Sequence, residues 1–173
     1  MMSKKIAVVV TDLFEDSEYT SPVEALEKAG HQTVAIEKEA GKVVKGKREE
    51  AEVTIDLGID DANPSDYDAL LIPGGFSPDK LRADDRFLAF VRHFDTEKKP
   101  IFTICHGPQL MINAEIVAGK KMTSVKQVGI DLKNAGAEWE DSALVIDASG
   151  LITSRTPEDL PVFNEAIVKA LAE

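Results

Sequence analysis

Five short apolar runs constrain the fold of this 173-residue chain more than any other feature of its sequence. The runs occupy residues 6–10, 33–36, 69–72, 101–104 and 144–146. They are apolar at nearly every position instead of every second one, which is typical of strands covered by helices on both faces. Amphipathic stretches separate them. The pattern therefore predicts a flavodoxin-like α/β fold, a doubly wound, mostly parallel sheet with helices on both faces.

The segments between the runs predict helices and two small β additions. Helical patterns cover residues 22–29 and 85–94, and a final helix is expected after Thr156, which can cap it. Two stretches, residues 41–56 and 144–153, break the alternation of strand and helix. Each of them predicts a β-hairpin.

Size and charge narrow the class of protein. The length favours a single domain over residues 1–173. Lys and Arg number 20 against 31 Asp and Glu, and the net charge of −11 disfavours direct binding to nucleic acid. No apolar run approaches the roughly 20 residues that a membrane helix needs, so no membrane partner is expected. A single cysteine cannot form an internal disulfide, which favours a cytoplasmic location.

Residues that could perform chemistry follow three of the apolar runs. Glu15 follows the first run, Gly74 and Gly75 follow the third, and Cys105 and His106 follow the fourth. Because the carboxyl ends of parallel strands meet along one edge of a sheet, these residues are expected to line one pocket.

Cys105 is the candidate nucleophile. It lies on a predicted turn between a buried strand and a helix, where unpaired backbone N–H groups and the helix dipole favour a thiolate. This position predicts a lowered thiol pKa. The alternative is a buried core cysteine, since free cysteine is among the most buried residue types. Composition alone leaves both interpretations open.

The companions of Cys105 each have two interpretations. The backbone N–H groups of Gly75, after Gly74, and of His106 could form an oxyanion hole, or the glycines could simply make a tight turn. Glu15 could hydrogen-bond the sulfur or transfer protons, or it could be an exposed loop carboxylate. His106 is a base by type, yet its adjacency to Cys105 does not establish a hydrogen bond, and it could instead be a capping or packing residue. Neither a metal nor another cofactor is expected. The histidines lack the spacing to other side chains that metal sites show, and the sequence contains no glycine-rich phosphate-binding loop.

Five segments together resemble the ThiJ/PfpI family of the class I glutamine amidotransferase-like superfamily, with the greatest similarity to bacterial stress proteins of PfpI type. They occur in family order and at family spacing over nearly the whole chain. The segments are residues 14–16, 68–75, 104–109, 134–137 and 153–157.

The resemblance implies roles for particular residues. It implies Cys105 as the nucleophile, Glu15 hydrogen-bonded to its sulfur and His106 assisting. In PfpI-like members an acid at the position of Asp79 completes a Cys-His-acid set, often across a subunit contact. A departure occurs at residues 46–49, which read Gly-Lys-Arg-Glu where close relatives commonly show Gly-Lys-His-Gly. Contacts with substrate or partner are expected to differ there.

The resemblance also implies a function. The leading expectation is a cofactor-independent deglycase or glyoxalase in the stress response, with a small dicarbonyl or glycated molecule as substrate. The alternatives are an intracellular cysteine peptidase that binds peptides, and a non-enzymatic redox sensor or stress chaperone. A homodimer or higher homo-oligomer is expected in each case.

Overall fold

The computed structural model describes residues 2–173, which form a central sheet flanked by helices. The strands are β1 (Lys5–Val9), β2 (Gln32–Glu37), β3 (Val43–Lys45), β4 (Glu52–Thr54), β5 (Leu57–Gly58), β6 (Ala69–Ile72), β7 (Ile101–Ile104), β8 (Lys121–Met122), β9 (Glu138–Trp139), β10 (Val145–Ile146) and β11 (Leu151–Ser154). The helices are α1 (Asp16–Lys28), α2 (Ser77–Leu81), α3 (Asp85–Thr96), α4 (Pro108–Asn113), α5 (Lys126–Asn134) and α6 (Leu160–Ala172). Short 3₁₀ turns lie at Ile59–Asp61, Pro64–Asp66 and Pro157–Asp159.

The main sheet has seven strands in the order β10-β11-β7-β6-β1-β2-β5. Every neighbouring pair is parallel except the pair of β10 with β11. The strand order reverses direction between β6 and β1, and their carboxyl ends border the position where doubly wound sheets bind ligands. The predicted flavodoxin-like fold class is confirmed.

The two faces of the sheet explain why the strand sequences are apolar throughout. Ala7 and Val9 point toward the core that includes the apolar side chains of α3, α4 and α5. Ile6 and Val8 point to the opposite core, which α1 and α6 complete. Side chains alternate between the two faces of a strand, and both faces of β1 are buried. Every position of β1 therefore favours an apolar residue.

The predicted elements are present, and two of their boundaries differ. Both hairpins form, as β3–β4 and β10–β11, and β11 also joins the main sheet beside β7. Helix α1 begins at Asp16 instead of Pro22, which lies inside it, because carboxylates in the first turn interact favourably with the helix N-terminus. Thr156 makes no side-chain cap, and a 3₁₀ turn at Pro157–Asp159 precedes α6. The Asp159 carboxylate accepts the backbone N–H of Arg155.

Candidate active site

Cys105 occupies a sharp turn between β7 and α4, as predicted. Its φ of 62° places a non-glycine residue in the left-handed region, which costs conformational energy. Two neighbours hold it there: its N–H donates to the Ser154 carbonyl at 3.1 Å, and its carbonyl accepts the Val125 N–H at 3.1 Å. The fold therefore fixes a strained elbow that presents the sulfur at the carboxyl edge of the sheet.

The surroundings of the sulfur act on it in opposite directions. Burial raises the pKa of the Cys105 thiol, and the nearby Glu18 carboxylate raises it further. The backbone N–H groups of His106 and Gly75 donate to the sulfur and lower the pKa, but they do not outweigh burial. The predicted lowering of the thiol pKa is therefore not what the structure favours, since the side chain is enclosed and α4 has only six residues. A base is needed to take the thiol proton.

Glu18 is the carboxylate beside the thiol. Its side chain is fully buried, Oε1 accepts the Gly74 N–H at 3.0 Å, and Oε2 accepts no hydrogen bond within the described residues that meets ordinary geometric limits. Burial raises the pKa of Glu18 to about 8, with a smaller contribution from the charge of Glu15. Glu18 is therefore mostly protonated at pH 7, which suits a group that donates a proton to a molecule bound beside the Cys105 sulfur.

Gly74 permits this close approach of Glu18 to Cys105. A Cβ atom at position 74 would overlap Oε1 of Glu18 and lie 3.0 Å from the Cβ atom of Cys105. The same residue supplies the N–H that orients Glu18. The Gly-Gly turn is thus part of the site, and Gly75 contributes a second N–H that points at the sulfur.

Glu15 does not contact the Cys105 sulfur, although the sequence predicted that it would. Its carboxylate accepts Nε of Arg48 at 2.6 Å and Nη2 of Arg48 at 3.1 Å, and Nζ of Lys47 lies 3.3 Å away. Burial raises the pKa of Glu15, but the two cations outweigh burial and hold it below the usual range. Glu15 is consequently an ionised partner of the β3–β4 turn, and the carboxylate next to the sulfur is Glu18.

His106 is oriented toward the sulfur. Its Nδ1 atom lies 3.3 Å from Sγ of Cys105, so the adjacency of the two residues does bring their reactive atoms together. Burial lowers the pKa of His106, and the charge of Lys47 lowers it further, whereas Asp79 acts in the opposite direction. The imidazole is therefore neutral at pH 7 and can accept a proton.

Asp79 is not joined to His106 within the subunit. It lies in α2, its side chain is 57% exposed, and its Oδ1 atom accepts from Arg82 Nε at 3.0 Å and from Arg82 Nη2 at 2.7 Å. Among the described residues no hydrogen bond connects it with the imidazole. The structure therefore brings together Cys105, His106, Gly74 and Gly75, but it leaves Asp79 at the surface.

Sequence reasoning missed Glu18, although its spacing carried a signal. Glu18, Pro22 and Leu26 recur at intervals of four residues, and all three are buried on one face of α1. A carboxylate on the apolar face of a helix at the catalytic edge of a sheet is a candidate for a raised pKa. Lys47 and Arg48 could not be found in this way, because a hairpin turn carries no periodicity that points to a distant site.

Metal ligands and membrane-spanning helices are the two other features that concern residues 2–173. In this part of the chain no group of three or more His, Cys, Asp or Glu side chains could hold a metal ion. The same residues include no helix with the length and hydropathy required to cross a membrane.

Known proteins with similar sequences match this chain over most of its length. Residues 4–170 match the DJ-1/PfpI family. The chain is 58% identical over 170 residues to protein/nucleic acid deglycase 2 of Escherichia coli (strain K12), covering 98% of this chain and 99% of that protein. It is 60% identical over 163 residues to general stress protein 18 of Bacillus subtilis (strain 168), covering 94% and 95% respectively.

Solved structures agree with the sequence comparisons. A two-domain protein of Anabaena variabilis, with dj-1/thij/pfpi-like and ferritin-like domains, superposes with a TM-score of 0.95 at 36% identity, over 98% of this chain and 48% of that one. Drosophila melanogaster DJ-1beta superposes with a TM-score of 0.90 at 25% identity, over 99% of this chain and 91% of that one. The resemblance inferred from the sequence is confirmed, and the chain belongs to the DJ-1/PfpI family.

Proposed function

We propose that this chain is a cysteine-dependent deglycase or glyoxalase that acts on glyoxal, methylglyoxal and their adducts with amines. One observation carries the proposal: Cys105 lies beside two proton-transfer groups suited to neutral pH, the His106 imidazole at 3.3 Å and the buried Glu18 carboxyl. Addition of a thiol to an aldehyde requires a base for the thiol proton and an acid for the carbonyl oxygen. The name of the Escherichia coli relative supports the same chemistry.

The first step forms a hemithioacetal on Cys105. The sulfur bonds to the aldehyde carbon of methylglyoxal while His106 Nδ1 accepts the thiol proton and Glu18 donates its proton to the aldehyde oxygen. With an amine adduct, the carbon–nitrogen bond breaks instead, and the Glu18 proton leaves with the amine. Both routes give the same hemithioacetal, an imidazolium at His106 and a carboxylate at Glu18. The N–H groups of Gly75 and His106 stabilise the negative charge that develops during attack.

The next steps move protons within the bound substrate. The Glu18 carboxylate removes the proton from the hemithioacetal carbon, and His106 protonates the neighbouring ketone oxygen, which gives an enediol. Glu18 then returns its proton to the second carbon while His106 takes one from the first hydroxyl, which gives a thioester. Water attacks the thioester and gives a proton to Glu18, and the departing sulfur takes the His106 proton. The product is lactic acid, or glycolic acid from glyoxal.

The proposal is tested by measuring lactate and released amine from methylglyoxal and from a methylglyoxal-modified amino acid. Wild-type protein is expected to turn over both, and Cys105→Ala is expected to lose at least about 10³-fold because the nucleophile is gone. Glu52→Gln is the matched control, since Glu52 forms only an exposed ion pair with Lys45 in the β3–β4 hairpin. Equal turnover by wild type and Cys105→Ala contradicts the proposal.

The peptidase alternative has less support from the geometry of a single subunit. It requires His106 to act as a base oriented by Asp79. The Asp79 carboxylate is instead occupied by Arg82 and largely exposed. Cleavage of a fluorogenic peptide that is lost in Asp79→Ala would favour the peptidase. The homodimer implied by the family stays a prediction, and sedimentation analysis tests it.

A further inference from the structure

Asp16 is a buried acid that the proposed chemistry does not use. It is the first residue of α1, directly after Glu15, and only 3% of it is exposed. Its Oδ1 atom accepts the Arg48 N–H at 2.9 Å, and its Oδ2 atom accepts the N–H groups of Glu50 at 3.0 Å and Ala51 at 2.9 Å. A single carboxylate thus accepts three hydrogen bonds from backbone N–H groups of the turn between β3 and β4.

The turn approaches Asp16 closely enough to exclude a side chain. A Cβ atom at Gly46 would overlap the Asp16 carboxylate. Burial raises the pKa of Asp16, but the backbone donors of Arg48, Glu50 and Ala51 outweigh it and hold the pKa below its usual range. The carboxylate is therefore charged at neutral pH, which strengthens each of its hydrogen bonds.

The turn carries the cations that neutralise Glu15. Arg48 follows Lys47, and their side chains both reach the Glu15 carboxylate. The Arg48 backbone is fixed by Asp16, whereas the Lys47 N–H donates to the Phe14 carbonyl at 2.9 Å. Asp16 thus holds the backbone from which the Arg48 side chain reaches Glu15, and Glu15 in turn lies close enough to Glu18 to influence its protonation.

We propose that Asp16 is a positioning residue of the Cys105 site: by anchoring the β3–β4 turn it keeps Arg48 on Glu15 and so limits the negative charge that acts on Glu18. The inference concerns the site of the proposed function and rests on it for its relevance to turnover. It does not depend on a substrate for its test, because the protonation of Glu18 can be measured in the resting protein.

The charged and polar groups around Glu18 set the expected direction. Glu15 raises the pKa of Glu18, whereas Lys47, the Gly74 N–H and the Cys105 thiol lower it. When Arg48 leaves Glu15, the charge of Glu15 is less compensated, and Glu18 holds its proton to a higher pH. Loss of the Asp16 anchor is therefore expected to shift the Glu18 titration upward.

The experiment follows the carbonyl stretching band of protonated Glu18 by infrared difference spectroscopy as the pH is raised, with Glu18→Gln protein to assign the band. Asp16→Asn is expected to raise the midpoint by about 0.5 unit, because the NH2 group of its amide cannot accept the N–H groups that the second carboxylate oxygen bound. Arg48→Gln is expected to give a similar shift, and the double variant no more than either single one. Glu52→Gln is the control, since it breaks only the exposed Lys45–Glu52 pair of the same hairpin.

Each outcome decides between positioning and a merely structural role. A lower unfolding temperature of Asp16→Asn with an unchanged Glu18 midpoint overturns the inference, as does a shift that is additive with that of Arg48→Gln. If Asp16→Asn fails to fold, Gly46→Ala displaces the same carboxylate by overlap, and an unchanged midpoint in that variant has the same consequence. Failure of the deglycase assay with an upward shift intact would contradict the proposed function and leave the positioning of Arg48 supported.

Discussion

Glu15 and Glu18 are three residues apart and lie in opposite electrostatic environments. Glu15 has two cations within 3.3 Å, and they keep its pKa below the usual range although its side chain is 5% exposed. Glu18 is fully buried, receives one backbone N–H and has a pKa of about 8. The comparison shows that the cations of the β3–β4 turn keep Glu15 ionised, and in the proposed mechanism the proton-transfer acid is therefore Glu18.

The difference also assigns separate tasks to the two acids. An ionised Glu15 cannot donate a proton near neutral pH, but its charge favours the protonated form of its neighbour. Glu18 can exchange a proton with substrate because its charged and neutral forms are similar in free energy near pH 8. The pair resembles other sites in which the environment separates the pKa values of two carboxylates.

The largest expected effect is a difference in kcat between variants of Glu18 and of Glu15. Glu18→Gln is expected to lower kcat for methylglyoxal by about 10²–10³-fold, because the amide cannot exchange a proton with substrate. Glu15→Gln keeps Glu18 in place and is expected to lose about tenfold or less. Steady-state kinetics of both variants at pH 7 measures the contrast. Equal losses would mean that the distinction between the two carboxylates has no catalytic consequence.

The second effect concerns stability as a function of pH. The folded-state pKa of Glu18 is raised from 4.5 to about 8, so the folded protein binds one more proton than the unfolded chain within that window. Stability from this group is complete below pH 4.5 and is lost as the pH rises to about 8. The free energy of unfolding of wild type relative to Glu18→Gln is expected to fall by about 3–4 kcal/mol between pH 5 and pH 8. Urea titrations at both pH values measure it, and a constant difference would contradict a raised pKa.

A third test disturbs the packing that joins Glu18 to Cys105. Gly74→Ala adds a methyl group that overlaps Glu18 Oε1, so we expect turnover to fall by about tenfold and stability by about 1–3 kcal/mol. Gly119→Ala is the comparison for stability. Its Cβ atom would meet no heavy atom within 4 Å, so any loss of stability there comes from its φ of 78° and not from overlap. Loss of stability without loss of turnover in Gly74→Ala would indicate that the spacing of Glu18 and Cys105 is not critical.

The smallest effect is expected at Asp79. Asp79→Asn removes an exposed ion pair with Arg82, and such pairs contribute about 0–1 kcal/mol. Turnover is expected to stay within about threefold of wild type, since no hydrogen bond joins Asp79 to His106 in the described residues. A much larger loss in the kinetic assay would restore Asp79 to the catalytic set.

The sequence predicts the framework of this site better than its electrostatics. The apolar runs locate β1, β6 and β7, and the rule that strand ends share an edge places Cys105, Gly74 and Gly75 together. Which of Glu15 and Glu18 lies beside the sulfur depends on the directions of their side chains at the start of α1. It also depends on the β3–β4 turn, residues 46–51, whose cations contact Glu15. Long-range pairing of Arg48 with Glu15 leaves no local pattern. The burial that raises the thiol pKa is likewise a property of the packed protein.

The most direct test of the central claim is a pH titration of the Glu18 carboxyl by infrared difference spectroscopy, in wild type and in Glu15→Gln and Glu18→Gln proteins. We predict a protonated carboxyl band at pH 6.5 that disappears with a midpoint near 8 and is absent from Glu18→Gln. In Glu15→Gln the band should persist with a lower midpoint, because the charge that raises the pKa has been removed. A wild-type spectrum without this band at pH 6.5, or a band abolished by Glu15→Gln and retained in Glu18→Gln, would contradict the account.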